Sequence, residues 1–180
     1  MQTIDHALLA ASGFGVSKLK TWTAREGQGY TYTLIYRGDP VAHVEQGGYG
    51  GPTDLVWNGL YRNGAPMASD VSLTPARRKK AEGEVLVSRF AREKWAAFVA
   101  SIPPVPSFFD GKDLDVSEDM ALEELLNLHN LRKLVAKKTV FEVGGNTYTV
   151  NAPFHPDVAA WIEKRHPGAV ILNAIPHYAA

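Results

Sequence analysis

Apolar and polar residues alternate with period two over Lys18-Leu-Lys-Thr-Trp-Thr-Ala24 and again over Tyr30-Thr-Tyr-Thr-Leu-Ile-Tyr36, on either side of a Glu26-Gly-Gln-Gly29 turn. That period is the mark of strands with one face buried. In the second segment Tyr30, Tyr32, Leu34 and Tyr36 share one face, while Thr31, Thr33 and Ile35 share the other. Arg37-Gly-Asp-Pro40 reads as a tight turn. Residues 41–46 then read as a third strand, and residues 53–57 as a fourth beyond the loop Gly47-Gly-Tyr-Gly-Gly-Pro52. A short apolar stretch at residues 4–11, stopped by Gly13 and Gly15, predicts a leading helix. The N-terminal part is therefore expected to be an antiparallel meander of about four strands.

After a Gly-, Pro- and Asn-punctuated loop at residues 61–72, the pattern changes to helical. Thr74-Pro75 has the form of an N-cap followed by proline at the first helical position. The helix is expected to run to residue 101, with Val87, Phe90, Ala91, Lys94, Phe98 and Ile102 near one stripe. Gly83 weakens it by about 1 kcal/mol relative to alanine, and Ile102-Pro-Pro-Val-Pro106 ends it in a stiff bend. Asp115-Val-Ser-Glu118 signals the start of a second helix over residues 118–138. Its leucines are too many for one narrow stripe, which implies either a wide buried face or a break near residues 127–130. Residues 139–151 read as a hairpin about Gly144-Gly145-Asn146, and residues 156–164 as a helix closed by Pro167-Gly168. The apolar run at residues 169–175 reads as a central strand. The fold class is α+β: meander, two central helices, then hairpin, helix and strand, in a single domain.

Composition changes this picture little. The 180 residues are 45% hydrophobic and 21% charged, ordinary values for a packed domain, and a chain of this length buries roughly 70% of its unfolded surface. No stretch reaches the roughly 18 apolar residues needed to span a bilayer, and the N-terminus lacks the basic region of a signal peptide. The absence of cysteine excludes disulfides, thiol nucleophiles and thiolate metal sites, and makes the cytoplasm the expected address.

Charge matters more by distribution than by sum. Lys plus Arg and Asp plus Glu are 19 each, so formal net charge is zero and long-range attraction to nucleic acid is weak. Yet residues 77–94 are mainly basic and residues 110–124 mainly acidic. Arg77, Arg78, Lys79 and Lys80 sit at a helix N-terminus, where the macrodipole disfavours cations. With Arg89 and Arg92 they are candidate contacts to an acidic partner or to nucleic acid, or else a solvated first turn offset by Glu82 and Glu84. The acidic stretch suits a helix start, and would also present a duplex-like negative surface. The glycine-rich loop lacks the Gly-x-Gly-x-x-Gly and Gly-Lys-Ser/Thr forms that cradle nucleotides. It is either a plain interstrand loop or a contact loop presenting Tyr49. Six histidines show no i, i+3 or i, i+4 pair, and no serine is framed as Gly-x-Ser-x-Gly. No catalytic residue, metal ligand or cofactor is expected, although an active site assembled from scattered residues stays open.

The segment Ile35-Tyr-Arg-Gly-Asp-Pro-Val-Ala-His-Val-Glu-Gln-Gly-Gly-Tyr-Gly-Gly-Pro-Thr-Asp-Leu-Val-Trp57 resembles the N-terminal part of small uncharacterised phage and prophage proteins. In those, a strand and turn precede a glycine-rich loop and an aromatic, matched here by Gly38, Val41, Ala42, Val44, Gly48, Gly50, Gly51 and Trp57. The leucine-rich helix leading into Lys137-Lys-Thr-Val-Phe141 is similar to their second half. The resemblance implies a mobile-element origin and action by binding a host machine. The expectation is a non-catalytic, anti-CRISPR-like binding protein whose partner is a host protein or ribonucleoprotein complex, with Tyr30, Tyr32, Tyr36, Tyr49 and the basic residues as anchors. A nucleic-acid-binding accessory protein and a small enzyme are the alternatives.

Overall fold

Small residues on one face of a helix let it approach a sheet closely, and the centre of this molecule uses Ala81, Ser88 and Ala91 in that way. The computed structural model describes residues 4–58, 74–107 and 112–178; the loop expected at residues 61–72, together with Asp110 and Gly111, lies outside them. Helix α1 (His6–Ala11) leads into a meander of β1 (Phe14–Thr23), β2 (Gln28–Tyr36), β3 (Asp39–Gln46) and β4 (Asp54–Trp57), antiparallel throughout and in sequential order. Helix α2 (Pro75–Ser101) and helix α3 (Glu118–Val135) follow, separated by a two-stranded pair, β5 (Val105–Pro106) with β6 (Asp113–Leu114). The chain ends in the hairpin β7 (Thr139–Val143) and β8 (Asn146–Val150), helix α4 (Pro156–Arg165), and β9 (Val170–Ile171). These last strands form a sheet of order β8-β7-β9. No helix among the described residues is long and apolar enough to cross a membrane.

Local chemistry starts α2, α3 and α4 where they were expected, whereas α1 begins at His6, two residues later than expected, behind an Asp5 cap. The Thr74 and Ser117 hydroxyls accept from the backbone N–H of Arg77 and Met120, and His155 accepts from Asp157. Such caps satisfy donors that the first turn leaves open.

Packing departs from the expected stripe on α2. Its buried residues are Ala81, Ser88, Ala91 and Trp95, whereas Val87 and Phe90 are exposed. Trp95 decides the rotation: its ring meets Phe14 edge-on at 4.9 Å, and its Nε1 donates to Glu118 Oε1 at 2.9 Å. Turning the largest apolar side chain inward leaves only small residues beneath the preceding turns. The helix therefore lies close on β3, where the Ser88 hydroxyl donates to the Val41 carbonyl at 3.1 Å.

Helix α3 is unbroken and buries Ala121, Leu122, Leu125, Leu126 and Leu128 because it packs against α1, α2 and β1 and also touches β7. The hydrophobic core runs continuously from Ile4 through Phe14, Tyr32 and Trp95 to Val140, Leu172 and Tyr178.

The apolar run near the C-terminus is not a central strand. Only Val170 and Ile171 pair, at the edge of the second sheet, and the chain then enters a 3-10 turn at Leu172–Ala174. Asn173 is the cause. Its side chain accepts from Val140 N–H at 2.7 Å and donates to the carbonyls of Val135 and Lys138. One amide thus takes the Val140 N–H beside the end of β9 and also donates to the carbonyls that close α3.

Candidate interaction surface

The tyrosines of β2 face the wrong way for a docking surface. Tyr32 and Tyr36 are buried. The Tyr32 hydroxyl donates to the Leu122 carbonyl at 3.2 Å, and burial drives its pKa far up, keeping the phenol a donor. Tyr36 packs on Phe14 at 4.7 Å. Tyr30 is half-buried, stacks on Tyr32, lies 3.3 Å from the Thr53 hydroxyl, and borders a 260 Å³ groove against α3. The expectation of an outward tyrosine face is therefore corrected for Tyr32 and Tyr36: two helices need an apolar face to cover, and these rings supply it.

The opposite face of the sheet carries Trp22, Thr31, Thr33, Ile35, His43 and Val56. Val56 is 58% exposed and Trp22 38%. Trp22 pairs across the strands with Gly29, and a Cβ at that glycine would meet the indole at 2.3 Å. The missing side chain is what lets the ring lie flat on the neighbouring strand.

At one end of this face stands the glycine-rich loop, which carries Tyr49 at 66% exposure. The Gln46 side chain spans the loop, accepting from Gly48 N–H at 2.6 Å and donating to the Gly51 carbonyl at 3.3 Å. Gly48 (φ 77°) approaches the β1–β2 turn so closely that a Cβ would lie 2.7 Å from both the Ala24 Cβ and the Gly29 nitrogen. Positive φ and close approach together demand glycine here. The loop is braced from both sides, and Tyr49 projects from it.

The basic residues lie on α2. Arg77, Lys79, Lys80, Arg89 and Arg92 are exposed; the side chain of Arg78 is outside the described set. Lys80 pairs with Glu84 at 3.9 Å and Arg89 with Glu93 at 3.6 Å. At about 100° per residue, Arg77 and Lys79 leave nearly opposite sides of the helix. The cluster is contiguous in sequence but surrounds the helix rather than forming one stripe.

One constellation escaped the sequence reading. His6 Nε2 lies 2.5 Å from Glu124 Oε1, and its Nδ1 lies 2.7 Å from the Tyr178 hydroxyl. Burial pushes the Tyr178 pKa up to about 12, with Glu142, Glu124 and Asp5 adding to it. The carboxylate only accepts, so Nε2–H donates to Glu124, and Nδ1 and the phenol hydroxyl hydrogen-bond to each other. No spacing signal could reveal a trio that joins residues 172 positions apart. His6 and Glu124 border a 470 Å³ groove between α3 and the β7–β8 hairpin. Along α3, burial raises the Glu123 carboxyl, and the neighbouring charges of Asp119 and Glu124 raise it further. Among the described residues, no group of three or more His, Asp or Glu side chains is placed to hold a metal ion.

No protein-family model matches the chain, and neither curated proteins nor solved structures yield a match.

Proposed function

We propose that the chain is a non-catalytic binding protein that docks another protein on the Tyr49 loop and the adjoining outer face of the meander. The observation that carries this reading is Tyr49, a large aromatic at 66% exposure on a loop braced by Gln46 and by the approach of Gly48 to the neighbouring turn. Aromatic anchors dominate interface energetics, and a loop already ordered loses less entropy on binding. Trp22 and Val56 extend the apolar contact beside it. The resemblance to phage proteins makes the partner a host protein or ribonucleoprotein complex, such as one that directs defence against foreign nucleic acid.

Capture from a bacterial lysate on the immobilised chain, with and without nuclease, tests the reading. A host complex is expected to be retained after nuclease treatment. Tyr49→Ala should weaken retention by about thirtyfold, as for an anchor worth about 2 kcal/mol, with no change in melting temperature. Equal capture by Tyr49→Ala, or capture of nucleic acid without protein, rules the proposal out.

A further inference from the structure

The last strand of a sheet leaves a row of backbone groups open to any further strand, so natural edges are usually blunted by charge, bulges or brevity. Most edges of this fold follow that rule. β1 carries the exposed Lys18 and Lys20, with a bulge between Ser17 and Lys20 and Lys18 at φ 53°. β4 is four residues long and opens with Asp54, and β5, β6 and β9 are two residues each. β8 differs. Asn146-Thr-Tyr-Thr-Val150 has no charge, no proline and an unbroken register with β7, and residues 146–149 are exposed.

Hairpin geometry decides which backbone groups of β8 are left over. Gly144 and Gly145, both at positive φ, make a two-residue turn, so Val143 and Asn146 exchange hydrogen bonds, and Phe141 and Tyr148 do so again. Val140 N–H, which points away from β8 to Asn173, fits that phase. Thr147 and Thr149 therefore turn their N–H and C=O outward, to the side on which no strand of the described chain pairs.

Symmetry selects the occupant. Thr147-Tyr148-Thr149 reads the same in both directions, and antiparallel pairing about a two-fold axis sets each residue against the one equally far beyond the centre. We propose that β8 pairs antiparallel with β8 of a second copy of this chain, about an axis beside Tyr148. Thr147 of each copy then exchanges backbone hydrogen bonds with Thr149 of the other, and the two β8-β7-β9 sheets become one. Tyr148 faces its own equivalent at a non-hydrogen-bonded position, where side chains approach most closely. Aromatic pairs and threonine pairs are favourable across strands. The Tyr148 ring is 48% exposed and already stacks on Phe141 at 5.6 Å and on His166 at 6.5 Å, so it is positioned before pairing. The strand has no charge to repel its own copy and none to choose a charged foreign segment. This surface is separate from the Tyr49 loop, and the inference goes beyond the reading of that loop.

Sedimentation velocity of the full chain from about 5 μM to about 500 μM, the range suited to a small interface, is expected to show monomer passing to dimer. Amide exchange followed by NMR should find the Thr147 and Thr149 N–H groups open at the dilute end and at least about tenfold slower at the concentrated end. Thr147→Lys combined with Thr149→Lys sets lysine against lysine across the axis and should weaken the dimer at least about tenfold. Thr147→Lys combined with Thr149→Glu changes the same two positions but sets opposite charges face to face, and should restore it. Melting curves at the dilute end check that both variants fold. A chain that stays monomeric throughout, a dimer whose Thr147 and Thr149 amides exchange freely, or equal dimerisation by the two variants would each overturn the proposal. Protection of those amides only by an added extended peptide would overturn it as well, since the edge would then serve a foreign strand.

Discussion

Asn173 shows how much one polar side chain decides. Its amide serves one backbone N–H and two backbone carbonyls, drawn from the end of α3, the turn after it and β7. Asn173→Ala leaves all three without that partner and is expected to cost about 2 kcal/mol, measured by urea unfolding; Asn173→Asp keeps the acceptor but sets a carboxylate oxygen against two carbonyls and should be no more stable than the alanine variant. Glu123 works in the other sense. Its carboxyl is raised by burial, Asp119 and Glu124, so the folded chain holds that proton more tightly than the unfolded chain. The ionised form is accordingly a destabilising term above the ordinary glutamate range. Glu123→Gln should add about 0.2–0.5 kcal/mol at pH 7, the scale of a like-charge pair on a helix. The gain should fade as pH falls through the raised pKa toward the ordinary glutamate value of 4.5, and unfolding curves at pH 7 and pH 4 separate the two regimes.

At the scale of elements, the caps of α2 and α3 were readable because they depend on neighbours in sequence, whereas the side an element turns inward depends on distant ones. The β2 alternation divides its residues into two faces correctly, yet it carries no sign saying which is covered. Packing against α2 and α3 settles that, and the tyrosine side goes in. The same holds for α2, where Trp95 outweighs Val87 and Phe90 because Phe14 and Glu118 receive its ring and its N–H. The β1–β2 hairpin depends on a fit of a different kind, an indole laid on a glycine. Gly29→Ala would drive a methyl group into Trp22, and a loss of about 1–3 kcal/mol is expected, the range of overpacked sites. Intrinsic tryptophan fluorescence should shift to the red as the ring is displaced.

At the scale of the whole molecule, both ends of the described chain close on α3. His6 from α1 and Tyr178 from the C-terminal segment meet beside Glu124, linking the ends of the fold to its central helix. The phenol of Tyr178 titrates at about 12 in the fold, against 10.0 for an ordinary tyrosine. A raised value means that its contribution is complete below pH 10 and is lost as pH climbs through the folded pKa. Stability should therefore fall between about pH 10 and pH 12. Tyr178→Phe should be weaker than wild type by about 1 kcal/mol at pH 8 and should lose less on moving to pH 11. Some alkaline loss remains, because Tyr32 is raised as well.

The amino-acid sequence alone determined the kinds and order of the main elements, the α+β class, and the glycine-rich loop that holds up Tyr49. These follow from period, capping and turn chemistry, all of them interactions across a few residues. Tertiary structure alone decided that Tyr32 and Tyr36 belong to the core and that α2 turns Leu86 and Phe90 outward. It also decided that Asn173 cuts the last strand short and that His6 reaches Tyr178. Each of these is a competition for one buried volume or one unpaired backbone group among residues far apart in sequence. Such a competition is settled only when all the contenders are in place.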